Sequence, residues 1–147
     1  MKFSTRSRYG IRMLYELALN KNGNTIFLKD IAGNQNISEK YLSKLVIPLK
    51  NAGLVLSVRG AQGGYKLAKE PSDISIKEIV EVLEGKICPV ECVNDSSYCN
   101  RITVCPANDL WSLLAKSISD TLSGITLEDL INWGLKKSRE LSLDYVL

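Results

Sequence analysis

Histidine is absent from this 147-residue chain, which removes the commonest general base of enzymes. The sequence also lacks a recognisable pair of catalytic carboxylates, a nucleophile with a neighbouring base, and a phosphate-binding loop. Each of these absences excludes a class of catalytic site. We therefore predict that the protein is not an enzyme.

Long apolar runs are also missing. No stretch approaches the roughly 20 apolar residues of a membrane-spanning helix, and the N-terminal segment MKFSTRSRYGIRML lacks the apolar centre of a signal peptide. We therefore expect a cytoplasmic protein with no membrane partner. Because the cytoplasm is reducing, the four cysteines are expected to serve metal binding or redox chemistry instead of a disulfide framework.

Charge is distributed unevenly along the chain. Residues 1–70 hold twelve Lys and Arg against four Asp and Glu, whereas residues 71–147 hold seven against twelve. A basic half joined to an acidic half favours contact of the first half with a polyanion. An unevenly charged but merely solvated surface is the simpler alternative.

The spacing of apolar residues predicts a mainly α-helical fold. The expected helices cover residues 8–20, 28–35, 38–53 and 75–85, then a long helix over 106–123 and a last helix from 126. Residues 54–58 and 65–68 predict two strands joined by the turn RGAQGG. Ser38 and Ser75 are expected to cap helices, Pro48 to kink or shorten the third helix, and the cysteine-rich segment to be a loop.

Helices followed by a glycine-tipped hairpin are typical of a winged helix-turn-helix, whose recognition helix enters the DNA major groove. The first two turns of the third helix and the hairpin tip are then expected to meet duplex DNA. The start of the first helix is a third contact, since its amides favour a phosphate. The residues predicted from this frame are Ser38, Lys40, Tyr41, Lys44, Arg59, Gly60, Thr5 and Arg8. An ordinary hairpin turn beside solubilising lysines is the simpler alternative.

All four cysteines lie within the segment CPVECVNDSSYCNRITVC. They are Cys88, Cys92, Cys99 and Cys105, with three, six and five residues between successive members. The paired Cys-x-x-Cys of most structural zinc sites is missing, which weakens a zinc interpretation without excluding it. Iron–sulfur clusters prefer thiolate ligands and accept wider, less regular loops.

Three runs of sequence resemble the IscR/NsrR/CymR-type family of bacterial transcription regulators: STRSRYGIRMLYELALN, LKDIAGNQNISEKYLSKLVIPLKNAGLV and SVRGAQGGYKLAKEPSDISIKEIVEVLEG. The likeness covers residues 1–135, and the cysteine segment followed by a long helix resembles the cluster-binding branch. It implies a homodimeric winged-helix repressor or activator with a recognition helix at Ser38–Lys44 and a wing at Arg59. Because Lys40, Ser43 and Lys44 differ from the IscR pattern, no particular operator is implied.

The resemblance also implies a bound iron–sulfur cluster, most simply one with two irons and two sulfides. The ligands that it implies are Cys92, Cys99 and Cys105. The cluster-binding branch has a histidine three residues after the last cysteine, where this chain has Asn108. Cys88 is then the expected fourth ligand, with Asp109, Glu91 or a residue of the DNA-binding part as less favoured substitutes. All-thiolate ligation would give a lower reduction potential than imidazole ligation. A Cys88 that packs in the loop without binding anything is the alternative.

The expected organisation is a winged helix-turn-helix with a two-stranded β wing at residues 1–85, a cysteine-rich cluster loop at 86–106, and a long dimerisation helix with a C-terminal helix at 107–147. The wide apolar stripe of the long helix predicts a homodimer. We expect a sequence-specific regulator that binds an operator in double-stranded DNA and senses cluster, redox or nitric oxide state, with cluster-assembly proteins as further partners. A zinc or thiol-redox regulator on the same fold and an iron–sulfur carrier that does not bind DNA remain open.

Overall fold

In a computed structural model, which describes residues 2–20 and 22–145, seven α-helices accompany a two-stranded sheet. The helices are α1 (Thr5–Leu19), α2 (Leu28–Gln35), α3 (Glu39–Asn51), α4 (Ile76–Glu84), α5 (Glu91–Asn94), α6 (Pro106–Ser123) and α7 (Leu127–Asp144). The strands are β1 (Val55–Val58) and β2 (Gly64–Leu67). This order confirms the predicted mainly α fold with a β wing. No helix of the described ranges is long and apolar enough to cross a bilayer.

One apolar core joins the helices of the N-terminal half. Its fully buried members come from every one of these helices, because each places apolar side chains at helical spacing on one face. They include Met13 and Leu14 of α1, Ile31 of α2, Leu42 and Leu49 of α3, and Ile79 of α4. The exposed faces of α1 and α3 are thereby held in a fixed relation to each other.

The wing is an antiparallel hairpin extended by a third segment. Val55 of β1 lies opposite Leu67 of β2. On the other side of β2, Ile26 and Tyr65 exchange two backbone hydrogen bonds, each 2.8 Å long. Gly64 has a φ of 125°, and a Cβ at this position would lie 2.6 Å from the carbonyl oxygen of Ile26. Only glycine therefore permits this close approach of the two backbones.

The C-terminal helix α7 packs back onto the N-terminal half. Leu127 is fully buried and Ile131 is 7% exposed, both within the core that includes α1. The Leu127 amide donates to the carbonyl of Ile74, and the Ile76 amide donates to that of Ile125. The predicted segment 107–147 thus shares a core with segment 1–85. Residues 1 and 147, the outer limits of these two predicted segments, lie outside the described residues. The division of the chain at residues 86–106 stays a prediction.

The predicted apolar stripe of helix α6 has an exposed part and a half-buried part. Leu110, Leu113 and Leu114 point outward, with 56%, 63% and 40% of their surface exposed. Ile118 and Leu122 are half-buried, and Leu122 packs against the core. No α6 residue is buried within the chain. The outward face is therefore an apolar surface that the described residues of the chain leave uncovered.

Three local features differ from the sequence-based expectations. Helix α1 begins at Thr5 instead of residue 8, because the Ser4 hydroxyl accepts a hydrogen bond from the Arg6 amide and caps the helix. Helix α3 continues through Pro48 to Asn51, so Pro48 does not end it early, and the alternative expectation of a kink stays a prediction. Proline removes the bond to the carbonyl of Lys44, which lies on the exposed side where water can replace it. The cysteine-rich segment contains the short helix α5 and a 3-10 turn at Ile102–Val104, and is not entirely loop.

Candidate nucleic-acid interface and cysteine loop

The first turns of α3 present a polar, basic surface. Ser38 caps the helix by accepting a hydrogen bond from the Tyr41 amide. Lys40, Ser43 and Lys44 are exposed, while Tyr41 is half-buried. The hydroxyl of Ser43 donates to the carbonyl of Lys40 at 2.7 Å, so it is partly engaged within the helix. Lys40 and Lys44 stand one turn apart on one face, where both charges can reach the same ligand.

Tyr41 joins this surface to the start of α1. Its hydroxyl lies 3.1 Å from the Thr5 hydroxyl, and its ring meets that of Tyr9 edge-on with centroids 5.7 Å apart. The guanidinium groups of Arg8 and Arg12 lie over the Tyr9 ring at 5.8 and 5.6 Å from its centroid. The structure therefore brings the predicted residues Thr5, Arg8 and Tyr41 together in one basic, aromatic seam.

Tyr9 and Arg12 belong to this seam but were not predicted as binding residues. Arg12 also donates to the side-chain oxygen of Gln35 at 3.1 Å and to the Gln35 carbonyl, which ties α1 to the end of α2. A signal was present in the sequence, since Arg8 and Arg12 are one helical turn apart.

The wing carries the other predicted contacts. Arg59 and Gly60 are both exposed at the hairpin tip, and Gly60 has a φ of 107°. The Thr25 hydroxyl, which precedes α2, lies 2.8 Å from the carbonyl oxygen of Gln62 and 2.6 Å from that of Gly63. Thr25 thus fastens the wing tip to the helical body. This contact was not apparent from sequence because 37 residues separate Thr25 from Gln62.

The start of α1 already has an anionic partner. The Ser4 amide and the Ser7 hydroxyl both donate to Oε1 of Glu84, each at 2.7 Å. Burial raises the pKa of Glu84, but the hydrogen bonds from Ser4 and Ser7 outweigh it, and the pKa lies below its ordinary value. The amides at the start of α1 were expected to be free to bind a phosphate, but those of Ser4 and Arg6 already donate hydrogen bonds to Glu84 and to the Ser4 hydroxyl. The side chains of Thr5 and Arg8 are exposed beside these amides.

The cysteine loop connects α4 to α6. All four cysteines are half-buried free thiols. The Cys88 thiol donates to the carbonyl of Val90 at 2.9 Å. Asn108 in the first turn of α6 donates to the carbonyl oxygen of Cys92 at 3.1 Å and approaches its sulfur at 3.5 Å. Asn108, which occupies the position of the expected histidine, thus holds one of the expected ligands in place.

The donor set of this loop suits an iron–sulfur cluster, because four thiols within eighteen residues can all act as soft ligands. Across residues 2–20 and 22–145, however, no three Cys, Asp or Glu side chains lie close enough together to share a metal ion. Metal sites commonly form only as the metal binds, so ligation and loop ordering are coupled. The assignment of Cys88, Cys92, Cys99 and Cys105 as ligands stays a prediction.

Comparison with known proteins gives a consistent match. Residues 3–133 match the model of the Rrf2 family, described as "Iron-dependent Transcriptional regulator". The chain is 43% identical to the rrf2 protein of Nitratidesulfovibrio vulgaris over 131 residues, which cover 89% of this chain and 87% of that protein. It is 44% identical to the HTH-type transcriptional regulator CymR of Bacillus subtilis over 133 residues, or 90% of this chain and 91% of CymR.

Solved structures show the same fold. The structure of CymR, the global cysteine regulator of B. subtilis, superposes with a TM-score of 0.77 at 41% identity and covers 90% of this chain and 98% of that one. The structure of T. potens IscR superposes with a TM-score of 0.75 at 38% identity. The match covers 91% of this chain and 88% of the IscR chain. The similarity to regulators named CymR is as close as the similarity to those named IscR.

Proposed function

The chain belongs to the Rrf2 family of transcriptional regulators, which are DNA-binding proteins and not enzymes, and on this premise we propose that it acts as a homodimer on a specific DNA operator. The observation that carries this proposal is the exposed face of α3, joined through Tyr41 to the basic start of α1. In each protomer the face Ser38–Lys44 enters the major groove, while Arg59 and Gly60 of the wing lie against the neighbouring backbone. A bacterial regulator that binds a DNA operator acts in the cytoplasm, which is the location that we propose.

The homodimer is proposed from the outward face of α6. Leu110, Leu113 and Leu114 form a continuous apolar surface near one end of the helix. Two such surfaces related by a twofold axis bury each other, and the same symmetry sets the spacing of the two α3 helices. A palindromic operator with half-sites one helical turn apart, or a multiple of it, matches this geometry.

Replacing Lys44 with alanine tests the proposed DNA surface. The probe is a duplex of about 30 base pairs, some three helical turns, enriched from a random library by repeated binding to the protein. If each Lys44 neutralises one phosphate, Lys44→Ala lowers the slope of log K against log salt by about two units, roughly 0.9 for each protomer. Binding at a fixed moderate salt concentration then weakens about tenfold or more.

Lys50→Ala is the matched control, because Lys50 is an exposed lysine in the last turn of the same helix. Its salt slope is expected to equal that of the wild type. Equal slopes for Lys44→Ala and the wild type would remove Lys44 from the interface. A wild-type protein that retains no duplex at moderate salt would instead favour an iron–sulfur carrier.

We also propose that the cysteine loop is the sensing element. Cys92, Cys99 and Cys105 hold a two-iron two-sulfur cluster, with Cys88 as fourth ligand and cluster-assembly proteins as its source. A bound cluster supplies a group that responds to oxidation and to nitric oxide. The loop lies between α4 and α6, so its ordering alters the position of the DNA-binding half relative to the dimer interface on α6. Support comes from the four free thiols and from the similarity to IscR.

A thiol-based or zinc regulator on the same fold is the second candidate. One observation favours it: CymR is as similar to this chain as IscR. In this candidate the cysteines respond by oxidation, or one zinc orders the loop. Metal analysis with an ultraviolet–visible spectrum separates the two candidates.

A further inference from the structure

The last turn of α4 is clamped to the first two turns of α1. One carboxylate oxygen of Glu84 accepts both the Ser4 amide and the Ser7 hydroxyl, each at 2.7 Å. Ser7 is only 1% exposed, so its hydroxyl depends on this partner. Beside it, a Cβ on Gly10 would come 2.2 Å from Leu83, which shows how closely the two helices approach. Glu84 therefore fixes the position of the α1 start.

The same turn of α1 contacts the recognition helix. The Thr5 hydroxyl, one residue from Ser4, lies 3.1 Å from the Tyr41 hydroxyl, and Tyr9 packs edge-on against the Tyr41 ring. A continuous series of contacts thus runs from Glu84 through Ser4 and Thr5 to Tyr41. Displacing the start of α1 must change where the Tyr41 side chain is held.

Glu84 also stands at the boundary of the cysteine loop. It is the last residue of α4, and Gly85 follows with a φ of 90°. The Gly85 amide still bonds to the carbonyl of Glu81, whereas the residues after it leave the helix. Because Glu84 is the final residue of α4, it is the carboxylate of this helix that lies nearest to the cysteine loop in the chain.

We propose that Glu84 is a positioning residue for DNA recognition: it holds the first turn of α1 so that Thr5 fixes Tyr41 on the DNA-facing side of α3. This inference rests on the proposed function and adds a residue that does not itself touch DNA. A carboxylate suits the position, because it accepts charge-assisted hydrogen bonds and interacts favourably with the positive end of the α1 dipole.

The test compares the DNA affinity of three variants on the enriched duplex. Glu84→Ala removes the acceptor and is expected to weaken DNA binding about tenfold, within the usual range of coupling between two sites. Glu84→Gln keeps an oxygen acceptor and is expected to stay within about threefold of the wild type. Glu81→Ala removes a carboxylate one turn earlier on α4, whose partner is Lys77 at 3.9 Å, and is expected to have no effect.

A double-mutant cycle with Thr5→Val separates positioning from general loss of structure. If Glu84 acts through Thr5, the double variant Glu84→Ala, Thr5→Val binds no more weakly than the weaker single variant. Hydrogen exchange of the α1 first-turn amides should speed up in Glu84→Ala and not in Glu81→Ala. If Glu84→Ala does not fold, the Ser7→Ala variant takes its place in the cycle, because it removes one of the two hydrogen bonds to Glu84.

Several results would overturn the proposal. Additive losses in the cycle show that Glu84 does not act through Thr5. Equal or tighter binding of Glu84→Ala means that the carboxylate gives no positioning, or that it repels a DNA phosphate. If the wild type binds duplex and Glu84→Ala equals it, only the role of Glu84 fails. If the wild type binds no duplex, the proposed function fails as well.

Discussion

Leu113→Glu on α6 is expected to convert the dimer into a monomer and to weaken operator binding at least a hundredfold. Leu113 is 63% exposed within the chain and lies between Leu110 and Leu114 on the outward face. At a twofold dimer interface each substitution appears twice, so two carboxylates would be buried without partners. A monomer also loses the second half-site, whose contribution through effective concentration is about 100-fold or more.

Ser112→Glu is the matched control for this prediction. Ser112 is the adjacent residue, is exposed, and projects about 100° around the helix from Leu113. Sedimentation velocity across a range of protein concentrations should show a dimer for the wild type and Ser112→Glu, and a monomer for Leu113→Glu. A wild-type monomer at every concentration would contradict the dimer and leave palindromic recognition without a basis.

Cys92→Ala is expected to abolish iron–sulfur incorporation. Anaerobic reconstitution of the wild type with iron and sulfide should give visible absorption and about two irons and two sulfides per protomer. Cys92 lies in the first turn of α5, and Cys92→Ala removes one thiolate. The backbone carbonyl of residue 92, which accepts the hydrogen bond from Asn108 of α6, is kept in the variant. The substituted protein should remain colourless under the same conditions.

Cys88→Ala distinguishes a fourth ligand from a loop residue. If Cys88 binds iron, the variant should take up a less stable cluster with a shifted spectrum. An unchanged spectrum would show that Cys88 is not a cluster ligand. Cys88 would then be a half-buried loop residue whose thiol donates to the carbonyl of Val90. A colourless wild type containing one zinc ion would contradict the cluster proposal and favour the second candidate.

Much of the fold was predictable because its signals are local. Ser38, Ser75 and Thr126 each cap a helix by accepting a hydrogen bond from the amide three residues later, a relation visible in four consecutive residues. Gly53 has a φ of 73° just after α3, in the left-handed region where glycine commonly ends a helix. The wing strands followed from the β-branched residues of Val55–Val58, the glycine turn after them and the returning segment at residues 65–68.

The remaining features depend on contacts between distant residues. Glu84 meets Ser4 across 80 positions, and nothing in the local pattern of α4 marks that residue as different from Glu81. The stripe on α6 appeared single in sequence, because an apolar pattern does not reveal whether its own chain or another copy covers it. The arrangement of the cysteines depends on the fold of the loop, which spacing alone does not determine.

The coupling of the cysteine loop to DNA binding is tested most directly by an anaerobic titration of the enriched duplex. The protein is purified without oxygen, its iron and sulfide are measured, and binding is compared between cluster-loaded and metal-free samples of the same preparation. We predict affinities that differ by about tenfold or more between the two samples, within the usual range of coupling between sites. Equal affinities, with cluster content confirmed by its spectrum, would contradict a sensing role for the loop.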